Sequence, residues 1–360
     1  MKALEGTGGL MHTRGVFSRA VYILFLIIVS TNRGYSQDVT DQALRLMFYN
    51  VENLFDIYDD SLKDDNDFLP QGLMRWNYSR YTKKINSLYK TIIAVGEWHP
   101  PDVLALCEVE NRKVLEDLVY GTYLSKYKFG IVHEDSPDER GIDVCLIFRK
   151  DRLELINYEY WIPSGFKSGE FTSRSVLYAK LRSASDTLHI IVNHWPSRRG
   201  GVLSAEGDRQ KIAAMVKTRV DSIVNNSGYR SKIIIMGDFN CSPDDQAIRL
   251  LVEQADSDPF MVNLSERDAS DGKGTYRYLG IWEMIDQIII SPGLLNSDYG
   301  LYTNDNLFSI FKPDFLLFRD PKYPGLTPFS TYRGYRYQGG YSDHLPVVLD
   351  LIFPDQHQQE

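Results

Sequence analysis

The stretch Lys232-Ile233-Ile234-Ile235-Met236-Gly237-Asp238-Phe239-Asn240 places an apolar run directly before a polar turn. Consecutive branched apolar residues predict a strand that is covered on both faces. Asp238 and Asn240 follow at its carboxyl end, where the loops of open sheets gather their functional side chains. Turns also favour Gly, Asp and Asn for conformational reasons, so one such ending is weak evidence of a site.

Three other apolar runs end in the same way. They are Leu44–Tyr49 before Asn50-Val51-Glu52, Val103–Cys107 before Glu108, and Leu188–Val192 before Asn193-His194. Ordinary turn chemistry does not explain why four strands of one chain should all end in residue types that serve catalysis. We therefore predict that these polar side chains meet in one site.

The rest of the chain predicts an α/β layered architecture. Further strand-like runs are Val144–Phe148, Ile285–Ile290 and Val347–Ile352, and apolar residues recur at helical spacing in Tyr81–Val95 and Ala205–Val224. Ser242 before Pro243 predicts a helix with Pro at its first position. Strands that alternate with helices indicate α/β layers, although periodicity leaves the strand order open.

The composition is that of a globular protein. Of 360 residues, 43% are hydrophobic and 24% are charged, which excludes disordered and fibrous classes. The 23 tyrosines suit half-buried strands and also supply stacking surfaces for a cleft. Cys107, Cys145 and Cys241 lie in or beside apolar runs without metal-binding spacing, so we expect small buried residues and no disulfide framework.

The N-terminus has the pattern of a secretory signal peptide over residues 1–36. Arg14 and Arg19 precede a short apolar run, Ala20–Val29, and small and polar residues follow as far as Ser36. The alternative is an uncleaved membrane anchor, but the run is short for a bilayer span. We expect cleavage near Ser36, a secreted or periplasmic protein, a catalytic domain over residues 37–354 and a C-terminal tail over residues 355–360.

The charge balance restricts the mode of substrate binding. The chain carries a formal net charge of −8, and residues 1–36 hold four Lys/Arg and one Glu, so cleavage leaves a more acidic protein. An acidic surface argues against non-specific wrapping of nucleic acid, which requires a basic footprint. It remains compatible with an enzyme that binds phosphate locally through a metal ion.

The residue types at the strand ends suit a hard cation. Carboxylate and amide oxygens, without thiolates, are typical ligands of Mg²⁺, Mn²⁺ or Ca²⁺. The histidines and Asn240 remain to hold phosphate oxygens and to move protons.

Seven segments, in this order, resemble the motifs of the endonuclease/exonuclease/phosphatase superfamily. They are Tyr49-Asn50-Val51-Glu52-Asn53, Leu106-Cys107-Glu108-Val109-Glu110, Arg140-Gly141-Ile142-Asp143, Asn193-His194-Trp195, Gly237-Asp238-Phe239-Asn240, Ile285-Asp286-Gln287-Ile288 and Ser342-Asp343-His344-Leu345-Pro346. The resemblance covers the chain from about Leu44 to Ile352. It implies a four-layer α/β/β/α sandwich of two packed mixed β-sheets flanked by helices.

The resemblance also implies a metal side of the site. Glu108 would be the principal metal ligand, and Asn50 and Glu52 would complete the metal and phosphate environment. Some branches of the superfamily carry Asp where this chain has Glu52. Asp343 would be a second carboxylate on the metal side.

The resemblance also implies roles in the reaction itself. Asp238 would orient or deprotonate the attacking water, and Asn240 would position that water or a phosphate oxygen. His344 would contact the scissile phosphate with its ring held by Asp286, and this pairing would favour the imidazolium form. His194 would donate to phosphate or to the leaving oxygen. A cation and two histidines would thus offset the charge that builds on phosphate.

Three residues near these motifs have competing interpretations. Arg140 corresponds to a phosphate-contacting position, but a role in bracing its loop is equally compatible. Trp195 could stack on substrate or pack at a strand–loop junction. Glu110 suits a helix cap or a partner of the helix dipole better than a metal ligand.

The substrate is left open among three classes. These are DNA or RNA for a secreted nuclease, phospholipid head groups or small phosphate esters for another phosphodiesterase or phosphatase, and no substrate for a binding module. Retention of Glu108, Asp238, Asn240 and His344 argues against the binding module.

Tyr and Arg interleave in 272–278 and 331–337, and Arg198 and Arg199 lie beside Ser197. Such segments fit either nucleotide stacking or two-faced strands. We favour a nuclease that acts as a monomer without a stable protein partner.

Overall fold

A computed structural model describes residues 43–97, 99–163, 174–184, 186–197, 202–253 and 260–354, with the side chains of residues 202–204 left out. The predicted signal peptide, the C-terminal tail and the segment 198–201 with its two arginines lie outside the described residues.

The first sheet contains six strands in the order β13-β18-β1-β2-β4-β3. Their bounds are β1 Ala43–Leu54, β2 Val103–Val109, β3 Phe129–Val132, β4 Asp143–Arg149, β13 Phe308–Ile310 and β18 Val347–Ile352. β1 and β2 are parallel, whereas β2–β4, β3–β4 and β13–β18 are antiparallel pairs. The sheet is therefore mixed.

The second sheet also contains six strands, in the order β5-β6-β7-β8-β12-β9. Their bounds are β5 Glu154–Trp161, β6 Val176–Arg182, β7 Thr187–His194, β8 Lys232–Asp238, β9 Val262–Asn263 and β12 Asp286–Ile290. β7 and β8 are parallel, and the other neighbouring pairs are antiparallel.

Helices and small hairpins complete the described structure. The helices are α1 Tyr78–Val95, α2 Arg112–Tyr120, α3 Val202–Ser227, α4 Gln246–Val252 and α5 Glu266–Ser270, with short 3₁₀ turns at Asn66–Phe68, Tyr123–Lys126, Pro292–Leu294, Ser297–Tyr299, Asp305–Leu307 and Asp314–Leu316. The hairpins pair β10 Tyr276–Tyr278 with β11 Ile281–Glu283, β14 Leu317–Arg319 with β15 Leu326–Pro328, and β16 Tyr332–Arg333 with β17 Arg336–Tyr337. Within the described chain no helix is long and apolar enough to span a membrane.

The strand residues are buried on both faces of each sheet, on one face against the other sheet and on the other face against helices. This arrangement confirms the predicted four-layer sandwich. Phe48 of β1 and Ile190 of β7 belong to one apolar cluster that joins the two sheets. Tyr49, next to Phe48, packs on the opposite face with α1 and α2, while Ile191 packs with α3 and α4. Because successive side chains of a strand point to opposite faces, runs of apolar residues satisfy both layers.

One predicted helix start was wrong, and one of the two interpretations of Glu110 is excluded. The helix predicted at Pro243 begins only at Gln246, because the carboxylate of Asp245 caps Ala247 N at 3.0 Å. Glu110 does not cap α2, since Asn111 accepts from Val114 N. Glu110 instead accepts from Asp56 N at 2.6 Å. The three cysteines are buried and form no disulfide with one another, as expected.

Candidate active site

The polar strand ends of both sheets meet at one cavity of about 440 Å³. Its lining includes most of the predicted site residues, namely Glu108, Arg140, His194, Asp238, Asn240, Asp343 and His344. Four other predicted site residues are not among the described residues that line the cavity, namely Asn50, Glu52, Trp195 and Asp286. Asn53, Arg174, Ser197, Tyr276, Tyr278, Glu283 and Ile285 complete the wall.

Strand register places three site residues side by side in the second sheet. His194 of β7 pairs with Asp238 of β8, and Asp238 pairs with Asp286 of β12. Gly237 is required for this close approach, since a Cβ atom there would lie 2.3 Å from the carbonyl oxygen of Asn193. The register therefore explains why the Gly-Asp pair follows the apolar run of β8.

Four non-glycine residues at the site adopt left-handed backbone conformations. Their φ angles are 53° at Glu52, 54° at Asn53, 62° at Glu108 and 51° at Asn240. Such conformations are uncommon outside glycine and concentrate at functional sites. The pairing of β1 with β2 is irregular between Asn50 and Leu54, and that of β2 with β4 between Cys107 and Val109. These irregularities change the direction in which the side chains at the strand ends point.

His344 is held by Asp286. The distance between His344 Nδ1 and Asp286 Oδ2 is 2.8 Å, and the same oxygen accepts from the hydroxyl of Thr275. Burial alone would lower the pKa of His344, but the carboxylates of Asp286 and Asp238 raise it well above its ordinary value. The structure thus contains the predicted pairing and favours an imidazolium, whose Nε2 lies 3.9 Å from Asp238 Oδ2.

Asp238 is buried between the two sheets. It accepts from Asn50 Nδ2 at 3.0 Å and from Asn240 N at 2.9 Å. Burial raises the pKa of Asp238 to about 7, against the lowering effect of His344. A carboxylate with such a pKa can take up a proton at neutral pH, which suits the predicted water-activating role.

His194, predicted as a donor to phosphate or to the leaving oxygen, is buried beside Asp238 and Glu108. Burial, together with Arg174 and Arg140, lowers the pKa of His194 well below its ordinary value. Its Nε2 lies 3.7 Å from Asp238 Oδ2 and 3.8 Å from Glu108 Oε1, and its Nδ1 is buried without a hydrogen-bond partner. A neutral imidazole can still donate one hydrogen bond to a phosphate oxygen.

Glu108 and Asp343 both present a carboxylate to the cavity. Glu108 Oε2 accepts from Asn53 N at 2.9 Å, and the pKa of Glu108 is lowered, because Arg140 and Arg174 outweigh its desolvation. Desolvation and the nearby Glu108 carboxylate raise the pKa of Asp343. A hard divalent cation would offset this repulsion between two carboxylates, so the donor set fits the metal implied by the sequence. Glu108 and Asp343 would hold it.

Glu52 does not project into the cavity. Its two carboxylate oxygens accept from the backbone amides of Thr331 at 2.5 Å and Tyr332 at 2.9 Å. The buried ammonium of Lys84 donates to the hydroxyl of Thr331 and to the carbonyl oxygen of Tyr341. The geometry therefore gives Glu52 a bracing role behind the site instead of the predicted metal contact.

Trp195 is also withdrawn from the cavity. Its side chain is fully buried, its ring packs edge-on against Phe239 at 4.7 Å, and its Nε1 donates to Asn193 Oδ1. Packing at the strand–loop junction, the alternative interpretation, describes this position. The carbonyl oxygen of Trp195 accepts from Asn240 Nδ2 at 2.9 Å and so positions Asn240.

Among the described residues, two arginines line the cavity, and the sequence predicted only one of them. Arg140 donates to Asn53 Oδ1 at 2.7 Å, so it both braces its loop and lines the cavity. Arg174 is buried just before β6, with its Nε 3.3 Å from Asp138 Oδ2. A basic residue directly before an apolar strand was the only sign of Arg174 in the sequence, and by itself it is weak.

The hairpin of β10 and β11 forms one rim of the cavity. The ring of Tyr276 lies 4.9 Å from that of His344, and Tyr278 also lines the cavity with an exposed ring. Arg277, between them, points away and donates to the backbone carbonyls of Gly280, Pro324 and Leu326. The Tyr/Arg alternation therefore reflects a two-faced strand, with its tyrosines on the cavity side and its arginine committed to the protein.

Two mixed sheets packed face to face, with carboxylates, an asparagine and histidines at one edge, define a class of phosphoric ester hydrolase. Residues 45–352 match the sequence profile of the Endonuclease/Exonuclease/phosphatase family, and the chain belongs to that family. Members of the family are metal-dependent phosphoric ester hydrolases. No curated protein sequence matches the chain.

Solved structures share the fold at low sequence identity. An endonuclease/exonuclease/phosphatase family protein from Bacteroides thetaiotaomicron aligns with a TM-score of 0.53 and 14% identity, over 88% of this chain and 98% of its own. A mannosyl-6-phosphatase from the same organism has a TM-score of 0.53, 13% identity and coverages of 86% and 100%. D. rerio TDP2 complexed with a single-strand DNA product has a TM-score of 0.53, 14% identity and coverages of 86% and 98%.

The arrangement can perform an in-line displacement at phosphorus. A divalent cation, when bound, would polarise a phosphate oxygen and offset charge in the transition state. Asp238 is placed to orient and deprotonate a water, while Asn240 is fixed beside it by Trp195. An imidazolium at His344, with its orientation set by Asp286, can offset negative charge on a phosphate placed in the cavity.

Proposed function

We propose that this chain is a secreted, divalent-metal-dependent phosphodiesterase that cleaves nucleic acid by attack of water on phosphate. The observation that carries the proposal is the convergence of Glu108 and Asp343 with the Asp286-supported His344 and with Asp238 at one cavity. Each group required for the displacement is present, and the pKa directions of Glu108, Asp238 and His344 suit ligand, base and phosphate contact respectively.

The tyrosines on the rim support a nucleic-acid substrate. Tyr278 presents an exposed ring at the mouth of the cavity, and Tyr276 lies deeper against His344. Bases stack on aromatic rings without sequence preference, which allows an acidic protein to bind a single strand at a few points. A structural neighbour, TDP2, was crystallised with a single-strand DNA product, so the scaffold accommodates such a ligand in that protein.

A small phosphate ester is the second candidate. Arg140 and Arg174 both line the cavity, whose volume of about 440 Å³ is in the range of small-molecule pockets. Two guanidinium groups favour an extended phosphate or a terminal phosphate dianion. The neighbouring mannosyl-6-phosphatase shows that one protein with this fold acts on a sugar phosphate.

A substrate panel tests the proposal. The mature protein is incubated with plasmid DNA, RNA, sphingomyelin, mannose 6-phosphate and a generic phosphodiester, each with Mg²⁺, Mn²⁺ or EDTA. We expect nicking of DNA or RNA with metal and none with EDTA. Turnover of the sugar phosphate or the lipid alone would replace the nuclease proposal by the second class, and turnover that survives EDTA would remove the metal from the mechanism.

Export is proposed from residues 1–36. Expression of the full chain in a Gram-negative host, followed by N-terminal sequencing of the periplasmic or extracellular protein, should give a mature start near Gln37. Retention of the intact N-terminus in the membrane fraction would favour the uncleaved anchor.

A further inference from the structure

We propose a second metal site, separate from the catalytic cavity, in which His133, Asp135 and Asp143 bind a zinc ion. His133 and Asp135 follow the end of β3, and Asp143 begins β4. The imidazole of His133 and the carboxylate of Asp143 are both nearly inaccessible, at 2% side-chain exposure each, whereas Asp135 is exposed. Asp143 ends the Arg140-Gly141-Ile142-Asp143 motif, whereas His133 and Asp135 lie outside the seven motifs.

The ligand atoms of the three side chains lie close enough together to converge on one ion. One atom from each of the three side chains lies within 4.8 Å of the other two, and His133 Nε2 lies 3.1 Å from Asp143 Oδ2. Ligand atoms at zinc–ligand distances of about 2.1 Å lie roughly 3.4 Å apart in a tetrahedron. The exposed position of Asp135 leaves the remaining coordination position open to water.

The site lies apart from the cavity, where Asp238, Asp286 and His344 form a group of the same donor types. One imidazole nitrogen with carboxylates favours zinc or a related transition metal. Mg²⁺ and Ca²⁺ prefer oxygen ligands, such as those that Glu108 and Asp343 offer at the cavity. Substitution of His133 therefore distinguishes zinc bound here from zinc bound at the cavity.

The second oxygen of Asp143 is already oriented by the protein. Asp143 Oδ1 accepts from Ser136 N at 2.9 Å, and this bond leaves Oδ2 directed at His133. An oriented ligand oxygen of this kind is typical of metal sites, where outer contacts fix the first ligands.

The position of the site gives it a consequence for catalysis. Ser136 Oγ accepts from Asp138 N, Asp138 Oδ1 accepts from Arg140 N, and Asp138 forms an ion pair with Arg174. An ion bound at His133 would therefore fix the loop that presents Arg140 to the cavity. We assign it a structural role in which it stabilises that loop without touching substrate.

Zinc binding to the chelator-treated mature protein tests the proposal. The protein is dialysed against Zn²⁺ with excess Mg²⁺, so that the catalytic site is saturated, and the bound zinc and the unfolding midpoint are then measured. We expect the wild type to retain a single zinc ion and to unfold at higher temperature with zinc. Displacement of that ion by Mg²⁺, or failure of the wild type to retain zinc, would overturn the proposal.

Variants identify the ligands. Asp135→Asn changes an exposed side chain and should leave the metal-free fold intact, yet weaken zinc binding by at least about tenfold, the lower limit for loss of an outer partner. His133→Gln should abolish zinc retention. His189→Gln is the control, because His189 is a buried histidine elsewhere that contacts the hydroxyl of Tyr178. If Asp135→Asn and His133→Gln bind zinc as tightly as His189→Gln, the site does not exist.

Discussion

Asp286 Oδ2 lies 2.8 Å from Nδ1 of His344, and this contact joins two residues that are 58 positions apart in the chain. It fixes the ring so that Nε2 faces the Asp238 side of the cavity, 3.9 Å from Asp238 Oδ2. The Asp286 carboxylate is the chief group that raises the pKa of His344 against the effect of burial. The proposed chemistry therefore depends on a residue that does not line the cavity.

Asp286→Asn should lower kcat by about 10²–10⁴-fold, the range expected for loss of a positioned proton donor. Without the carboxylate, burial lowers the pKa of His344, so the imidazolium is lost at lower pH. The alkaline limb of the profile of kcat/KM against pH should move towards acid. Thr275→Val is the matched control: it removes the hydroxyl contact to Asp286 but leaves both charges, and its profile should keep the wild-type position. A profile that is unchanged in Asp286→Asn would contradict the role of the pair.

Glu52→Gln and Glu108→Gln should separate bracing from metal binding. Glu108→Gln should reduce Mg²⁺ affinity and activity severely, because it removes a charged ligand of the proposed site. Glu52→Gln should instead lower the free energy of unfolding, since an amide cannot accept from both Thr331 N and Tyr332 N. Calorimetric titration with Mg²⁺ and urea unfolding measure the two effects. Equal loss of Mg²⁺ affinity in both variants would restore Glu52 as a ligand.

Glu110 should make the protein less stable as pH rises. Burial raises the pKa of Glu110 to about 8, so the folded state holds a proton that the unfolded state has lost above the ordinary pKa of 4.5. The free energy of unfolding should therefore fall between about pH 4.5 and 8, by on the order of 5 kcal/mol for this group. Glu110→Gln should match the wild type near pH 4.5 and exceed it at pH 8 in urea unfolding. A constant difference across this range would refute the linkage.

Tyr278→Ala should raise KM for single-stranded oligonucleotides by roughly tenfold, since one stacked base contributes about 1–3 kcal/mol. It should hardly affect a small alkyl phosphodiester, which carries no ring to stack. Tyr335→Ala is the control, because Tyr335 is similarly exposed and does not line the cavity. Steady-state kinetics on both substrates decide the matter: equal KM changes in the two variants would remove Tyr278 from substrate binding.

The sequence was sufficient where local pattern decides position. The apolar run of β8 followed by Gly237 and Asp238 predicted both the strand and the functional end, because a buried strand has one register in its sheet. The order of seven motifs predicted the sandwich and the pairing of Asp286 with His344. The sandwich and this pairing could be predicted because the motifs that indicate them lie at the strand ends.

The sequence failed where long-range contacts decide the role of a side chain. Glu52 resembles a ligand, but its oxygens bind amides 279 and 280 residues away, which no local pattern reveals. Arg174 enters the cavity through its ion pair with Asp138, and neither residue lies in a recognised motif. Trp195 was ambiguous because the residue after a strand can pack or face solvent, and its contact with Phe239 decides the matter.

The most direct test of the central claim is the hydrolysis rate of plasmid DNA and of bis(4-nitrophenyl) phosphate as Mg²⁺ is titrated into metal-free protein. The wild type should gain activity in a saturable manner and lose it reversibly with EDTA. Glu108→Gln and His344→Gln should remain folded and nearly inactive at every Mg²⁺ concentration. Hydrolysis that does not depend on Mg²⁺, or that persists in Glu108→Gln, would contradict the assignment of a metal-dependent phosphodiesterase to this cavity.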